Sequence, residues 1–170
     1  MLTLLFISNA YYANIFVCNR AVFTLFPVQP SNVTVPRASF SAYLNEHLFN
    51  LGPDQTIIYK GILLNDGNAY NQYTGIFTVP VTGTYLFTAS AEHFLSRLIW
   101  LKIVKNGVLQ ASIKVYPISL VNNQGSNTVI IHCTQGESVW VAVDSSVSGV
   151  ALEGTSIIRT NTFSGVLLYQ

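Results

Sequence analysis

A chain of 170 residues, half of them hydrophobic and only 9% charged, can build one substantial core and is too apolar to remain disordered. Eight basic residues scattered from Arg20 to Arg159 stand against seven acidic ones, for a net charge of +1, so there is no electrostatic footprint for DNA or RNA. Charge this low in a soluble chain points to a surface partly covered by copies of itself.

The first eighteen residues, "MLTLLFISNAYYANIFVC", carry no charge, but Ser8, Asn9 and Asn14 interrupt them, so they make a poor transmembrane span. The segment lacks a positive start and its best apolar run is short, so it reads as a weak leader. A folded strand pairing with the domain is the second reading. "FPVQPSNVTVPR" follows, with three prolines and the sequon Asn32-Val33-Thr34. It reads as an exposed linker, with Asn32 a glycosylation candidate in a secreted chain. Residues 1–36 are therefore set apart from a globular domain over 37–170.

From residue 38 onward the pattern has period two. "ASFSAYL" alternates Phe40, Ala42 and Leu44 with polar neighbours, and "GTYLFTASA" alternates Tyr85, Phe87, Ala89 and Ala91. "ESVWVAV" and "FSGVLLY" behave likewise, so all four predict strands buried on one face. Turn signals stand at "NDGN" (65–68), "TGT" (82–84), "KNG" (105–107), "NNQG" (122–125) and "TQG" (134–136). Pro80 belongs at a strand end, since it cannot donate to a ladder. "NEHLFNLG" offers at most one helical turn. The run "RLIWLKIV" reads as apolar on both faces, with Leu98, Trp100 and Lys102 on one side and Ile99, Leu101 and Ile103 on the other. That fits a subunit interface beside a core. Many short strands with turns between them predict an all-β sandwich, jelly roll or barrel.

The ordered set "FSAYL", "NDGNAYNQYTGIFTVPVTGTYLFTA", "KNG", "QGESVWV" and "FSGVLLY" closely resembles the globular head domain of complement C1q, from about residue 38 to the C-terminus. The resemblance implies an all-β, ten-stranded antiparallel jelly-roll sandwich, similar to tumour necrosis factor and usually packed as a trimer. It implies core roles for Phe40, Tyr70, Gly75, Phe77, Pro80, Gly83, Tyr85, Phe87, Phe163, Gly165 and Leu167. No Gly-X-Y repeat and no coiled-coil heptad precedes the domain in this sequence. It is similar in this to the head-only members abundant in invertebrates, especially molluscs.

Catalytic spacings are missing. His47, His93 and His132 form no HExxH-type pair, no serine sits in a G-x-S-x-G elbow, and no enzymatic activity is expected. Cys18 and Cys133 match no metal or redox motif, and Cys133 reads as a buried thiol on a strand, facing away from its neighbour His132. Candidate ligand-binding residues are Glu92, His93, Arg97 and Asp144, charged or titratable groups expected on loops at the end of the sandwich. Arg97 offers a fork for an anionic group. Some C1q relatives bind Ca²⁺ near the trimer axis, but Asp144 alone falls far short of the six to eight oxygens calcium takes. Tyr43, Tyr59, Tyr70, Tyr73 and Tyr116 are candidates for partly exposed rings that contact sugars or proteins. The expectation is a secreted homotrimer with no transmembrane anchor, no nucleic-acid partner and no cofactor, binding microbial glycans or other surface polymers in innate immunity. A cytokine-like or adhesive receptor ligand and an extracellular shell-matrix protein are the alternatives.

Overall fold

The computed structural model describes residues 37–92, 98–117 and 123–170, together with the backbone of two short strands near the N-terminus. Those two, β1 (Ile15–Cys18) and β2 (Ala21–Thr24), pair with each other antiparallel, within residues 1–36, the stretch read as leader and linker. They belong to a unit ending at Val35, and a second compact unit runs from Pro36 to Gln170. Asn32 lies outside the described residues.

Among the described residues, the regular elements of the second unit are all strands. Its elements are β3 (Ser39–Tyr43), β4 (Leu48–Leu51), β5 (Gly61–Asp66), β6 (Tyr70–Asn71), β7 (Ile76–Thr78), β8 (Gly83–Glu92) and β9 (Ile99–Lys105), followed by β10 (Val108–Val115), β11 (Gln124–Cys133), β12 (Ser138–Val143), β13 (Val150–Leu152) and β14 (Thr162–Tyr169). Two five-stranded antiparallel sheets form, one in the order β10-β9-β12-β7-β6 and the other β11-β8-β14-β3-β5, while β13 pairs with β4. The ten strands of the two sheets make the antiparallel jelly roll that the resemblance implied. Leu48–Leu51 is a strand, where "NEHLFNLG" offered at most one helical turn. Pairing with β13 satisfies its backbone non-locally, and Asn50 leaves helical space with φ of 54°.

The period-two pattern is realised residue by residue. Phe40, Ala42 and Leu44, then Tyr85, Phe87, Ala89 and Ala91, then Val139, Val141 and Val143 all point into the core. Phe40, Tyr70, Phe77, Tyr85, Phe87 and Phe163 form one aromatic cluster between the sheets. Phe40 lies parallel to Tyr70 at 4.9 Å and meets the edge of Phe163 at 4.8 Å. Ring pairs in these arrangements add about 0.5–1.5 kcal/mol each beyond the area they bury.

Turns form where small residues permit positive φ. Asn106 and Gly107, at 49° and 82°, turn β9 into β10, and Gly67 and Asn68, at 75° and 50°, follow β5. Gly75 has φ of 75°, and a Cβ there would stand 2.5 Å from the Ile57 carbonyl oxygen, so the position requires glycine twice over. Of "NNQG", Asn122 lies outside the described residues, and Gln124 and Gly125 already belong to β11. Gly125 is needed there for close approach, since a Cβ would lie 2.8 Å from a Val115 methyl.

The two sheets differ on their outward sides. On β8 the outward residues are Thr84, Leu86, Thr88 and Ser90, and on β14 they include Thr162, Ser164 and Val166. Ser39, Val166, Leu86 and Ile130 lie side by side across four strands, and Ile130 is 58% exposed. Hydroxyl pairs bridge the next rows, Ser164 with Ser41 at 2.9 Å and Thr128 with Thr88 at 2.9 Å. Neither β8 nor β14 turns a Lys, Arg, Asp or Glu outward before its last residues.

The outward side of β9 is different, and this corrects the reading of residues 97–104 as a doubly apolar interface strand. Trp100 is only half-buried, under its cross-strand neighbour Lys114, whose Nζ stands 3.7 Å from the ring centre. Lys102 forms an ion pair with Asp54 and donates to Ser145 Oγ at 2.9 Å. The chain's own cations occupy this side. Uncharged outward residues belong to β8 and β14 instead, while the same sheet carries Asp66 against Ser39 and Arg159 over Tyr43 at its β3/β5 side.

Candidate functional site

The sandwich end holding Glu92 and Asp144 was built by strand direction. β8 finishes at Glu92, β9 starts from the same end, and β12 runs antiparallel to β9 with Val143 opposite Leu101. His93 and Arg97 lie outside the described residues. Glu92 is not on a loop as expected: it is the last residue of β8, opposite Gln124, and is 9% exposed. Asn161 clamps its backbone. The Glu92 amide donates to Asn161 Oδ1 at 2.9 Å, and Asn161 Nδ2 donates to the Glu92 carbonyl at 3.1 Å and the Glu153 carbonyl at 2.7 Å. Asn161 is buried and organises this end of the domain. Nothing in the flanking "RTNTF" marks it, because its partners are far away in sequence.

Asp144 opens a loop, as expected, but its carboxylate turns back on that loop. The Ser146 hydroxyl donates to Asp144 Oδ1 at 2.5 Å and the Ser146 amide donates at 3.0 Å. These bonds favour the ionised form and hold the carboxyl below its ordinary range. Asp54 is likewise held low by Lys102, with help from Ser145. No hydrogen bond or ion pair joins Glu92 to Asp144 among the described residues. No group of three His, Cys, Asp or Glu side chains placed to hold a metal ion occurs among them either.

Histidine and cysteine chemistry is dispersed. On β11, His132 is exposed and Cys133 is fully buried, so they face opposite ways. His47 is exposed, and its Nδ1 accepts the Gly154 amide at 3.2 Å. Burial pushes the Cys133 thiol up to about 11, against the pull of Lys105. In a Cys18→Ser variant, the folded protein should resist a thiol reagent near neutral pH and react once unfolded. The folded thiol ionises later than an unfolded one at 9.0. Stability should therefore be full below about pH 9 and fall as pH rises towards 11. Denaturant titrations across that window check this, and equal stability at both limits would contradict it.

The tyrosines separate into two groups. Tyr59 and Tyr70 are buried, contrary to the expectation of partial exposure. The Tyr70 hydroxyl donates to the Tyr59 carbonyl at 3.1 Å and accepts the Tyr59 amide at 3.2 Å, an interior latch between non-local segments. Burial raises both phenols far above their usual range. Tyr43 is half-buried under the Arg159 guanidinium, 4.6 Å from its ring centre. Tyr73 and Tyr116 are exposed, at 78% and 61%.

Tyr73 borders an open groove of about 510 Å³, lined also by Ile62, Asn65, Asn68, Tyr70, Asn71 and Gln72. It runs along one edge of the sandwich, where β5 ends one sheet and β6 ends the other. Asp66 pairs with Ser39 and Gly61 with Tyr43, so the turn after β5 points away from the Glu92 end.

The C1q domain family model matches residues 39–168. The chain belongs to the C1q domain family. Complement C1q tumor necrosis factor-related protein 3 of Homo sapiens is 29% identical over 133 residues, 78% of this chain. The chain spans about half of that relative, 51% of its length. Among solved structures, the globular domain of zebrafish complement 1qA protein superposes with a TM-score of 0.65 at 19% identity, covering 78% of this chain and 98% of that one. Eiger TNF from S. frugiperda gives a TM-score of 0.64 at 13% identity, covering 79% and 94%. At these identities the two structures share the fold alone. As a C1q-type domain, this chain fits a ligand-binding role. Among the described residues, no helix is long and apolar enough to cross a membrane.

Proposed function

We propose that this C1q-family chain is a secreted homotrimeric recognition protein that binds glycan-rich microbial surfaces in innate immunity. The observation that carries the reading is the uncharged outward patch on β8 and β14, with Val166, Leu86 and Ile130 in one row. A second and third copy of the chain cover such a face in a closed assembly. Each weak site is then presented three times, and repeated engagement of a dense polymer raises avidity by about 10²–10⁴ without any new contact. The end holding Glu92 and Asp144, with His93 and Arg97 between β8 and β9, is the proposed place for anionic groups. There Arg97 would pair with a sugar carboxylate through two parallel N–H donors.

A glycan array probed with the full chain tests this. Capture should appear on microbial glycans, and capture on acidic sugars should weaken at high salt and in Arg97→Ala while the assembly persists. Silence across the array would sink the glycan reading. Capture unchanged in Arg97→Ala and in a paired His93→Ala, Asp144→Ala variant would remove these residues from the site. A second reading, a cytokine-like receptor ligand on the same fold, would be favoured by a cell-surface pull-down with no glycan capture.

A further inference from the structure

We propose that the edge groove beside Tyr73 is a second site, one that binds an uncharged hexose unit of a polysaccharide. It rests on the glycan-recognition reading above but uses different residues at a different part of the domain. The groove's volume, about 510 Å³, falls in the range of about 300–1,000 Å³ usual for small-ligand sites. Its lining contains no Lys, Arg, His, Asp or Glu. A phosphate or carboxylate would find no counter-charge there, and a cation would find no anion.

The groove is instead rich in amides. Two of its asparagines build it. Asn65 Nδ2 donates to the Tyr70 carbonyl at 2.9 Å while Asn65 Oδ1 accepts the Tyr70 amide at 3.1 Å, which ties β5 to β6 across the turn. Asn71 Oδ1 accepts the amides of Tyr73 at 2.9 Å and Thr74 at 3.3 Å, so the loop carrying Tyr73 has a defined course. Asn71 Nδ2 takes no part in those bonds. Asn68 is exposed on the turn before β6 and Gln72 is half-buried on the turn after it.

Each primary amide offers both donors and acceptors, which matches a sugar hydroxyl, itself both. The ring of Tyr73 is 78% exposed, an apolar plate with a polar tip, suited to the C–H face of a pyranose. Ile62 adds an apolar wall. Because β5 and β6 are the last strands of their sheets, the groove is open along its length. A long polymer can pass through it without needing a chain end.

The test uses the full chain on beads carrying mannan, a β-glucan or, as the anionic control, heparin. Retention on a neutral polymer should survive high salt, since no ion pair is involved, and should be reversed by free monosaccharide. Tyr73→Ala and Gln72→Ala should each cut retention by about tenfold or more, while Tyr73→Phe keeps most of it because the stacking face remains. Tyr73 is exposed and Gln72 only half-buried, so an unchanged melting temperature will show that the variants fold. Full retention in both alanine variants overturns the groove and leaves the glycan reading standing. Retention that disappears at high salt overturns the neutral-sugar assignment. No retention of the unmutated chain on any polymer overturns this site and the glycan reading together. Binding of a protein partner that Tyr73→Ala abolishes, without sugar competition, assigns the groove to protein recognition and overturns the proposal.

Discussion

A Phe40→Ala variant should lose about 3–5 kcal/mol of folding stability, the usual cost of removing a fully enclosed phenylalanine. Phe40 is 2% exposed and contacts rings from both sheets: Tyr70 and Phe77 at 4.9 Å, Phe163 at 4.8 Å and Phe87 at 6.5 Å. Its loss removes apolar burial and several ring pairs, and leaves a cavity. The surroundings cannot collapse easily, because Tyr70 is held by its latch to Tyr59 and Phe163 by strand pairing on both sides. Gly165 faces Phe40 across the ladder, where a Cβ would stand 2.6 Å from the Phe40 and Phe87 rings. The glycine makes room for the rings, so the site is specified from both partners. A domain with the usual stability of about 5–15 kcal/mol survives this loss with a melting temperature lowered by about 10–20 °C. Calorimetry showing a shift of only a degree or two would mean that the cluster is not the centre of the core.

A Val166→Glu variant should change the assembly and leave the fold intact. The unmutated chain is expected to sediment at three times the 18.7 kDa of one chain, and the variant as a single chain. Val166 is 38% exposed in the isolated domain, so a carboxylate there is hydrated in the monomer. Covered by another copy, it would lose that water without gaining a counter-charge, because the neighbouring outward residues are Ser39 and Leu86. Burying an unpaired carboxylate costs several kcal/mol, and each copy would bring one. Ile130→Glu, two strands along the same row, should act in the same direction. Sedimentation together with circular dichroism separates loss of assembly from loss of fold. An unmutated chain that sediments only as a monomer at micromolar concentration, or a Val166→Glu chain that still forms trimers, would refute this interface.

The strands were legible in the sequence because their signal is local. Alternation with period two put Phe40, Tyr85, Phe87 and Phe163 on inward positions, and Asn106-Gly107 and Asn65-Asp66-Gly67 marked turns through their tolerance of positive φ. Together with the ordered motifs from Phe40 to Tyr169, that was enough for the all-β class and the C1q family. Alternation also distinguishes the two faces of a strand, but it carries no information on what covers the second. Residues 97–104 therefore read as an interface. Only tertiary structure shows that Lys114 and the Lys102–Asp54 pair occupy that side, while the uncharged face lies on β8 and β14.

The same division holds for the candidate sites. Charge is visible in a sequence, but its availability depends on neighbours brought in by the fold. Glu92 was buried at a strand end by Asn161, 69 residues away, while Asp144 turned onto Ser146, a contact local enough to be read from "DSS". Tyr70 became core and Tyr73 became surface, although both sit in the polar stretch "NAYNQYT". The edge groove exists only because β5 and β6 end their sheets side by side. The sequence determined which residues form strands, turns and core, since side-chain period and φ preference act over a few neighbours. Tertiary structure decided which polar and aromatic groups remain open to a ligand, since that depends on desolvation by segments distant along the chain.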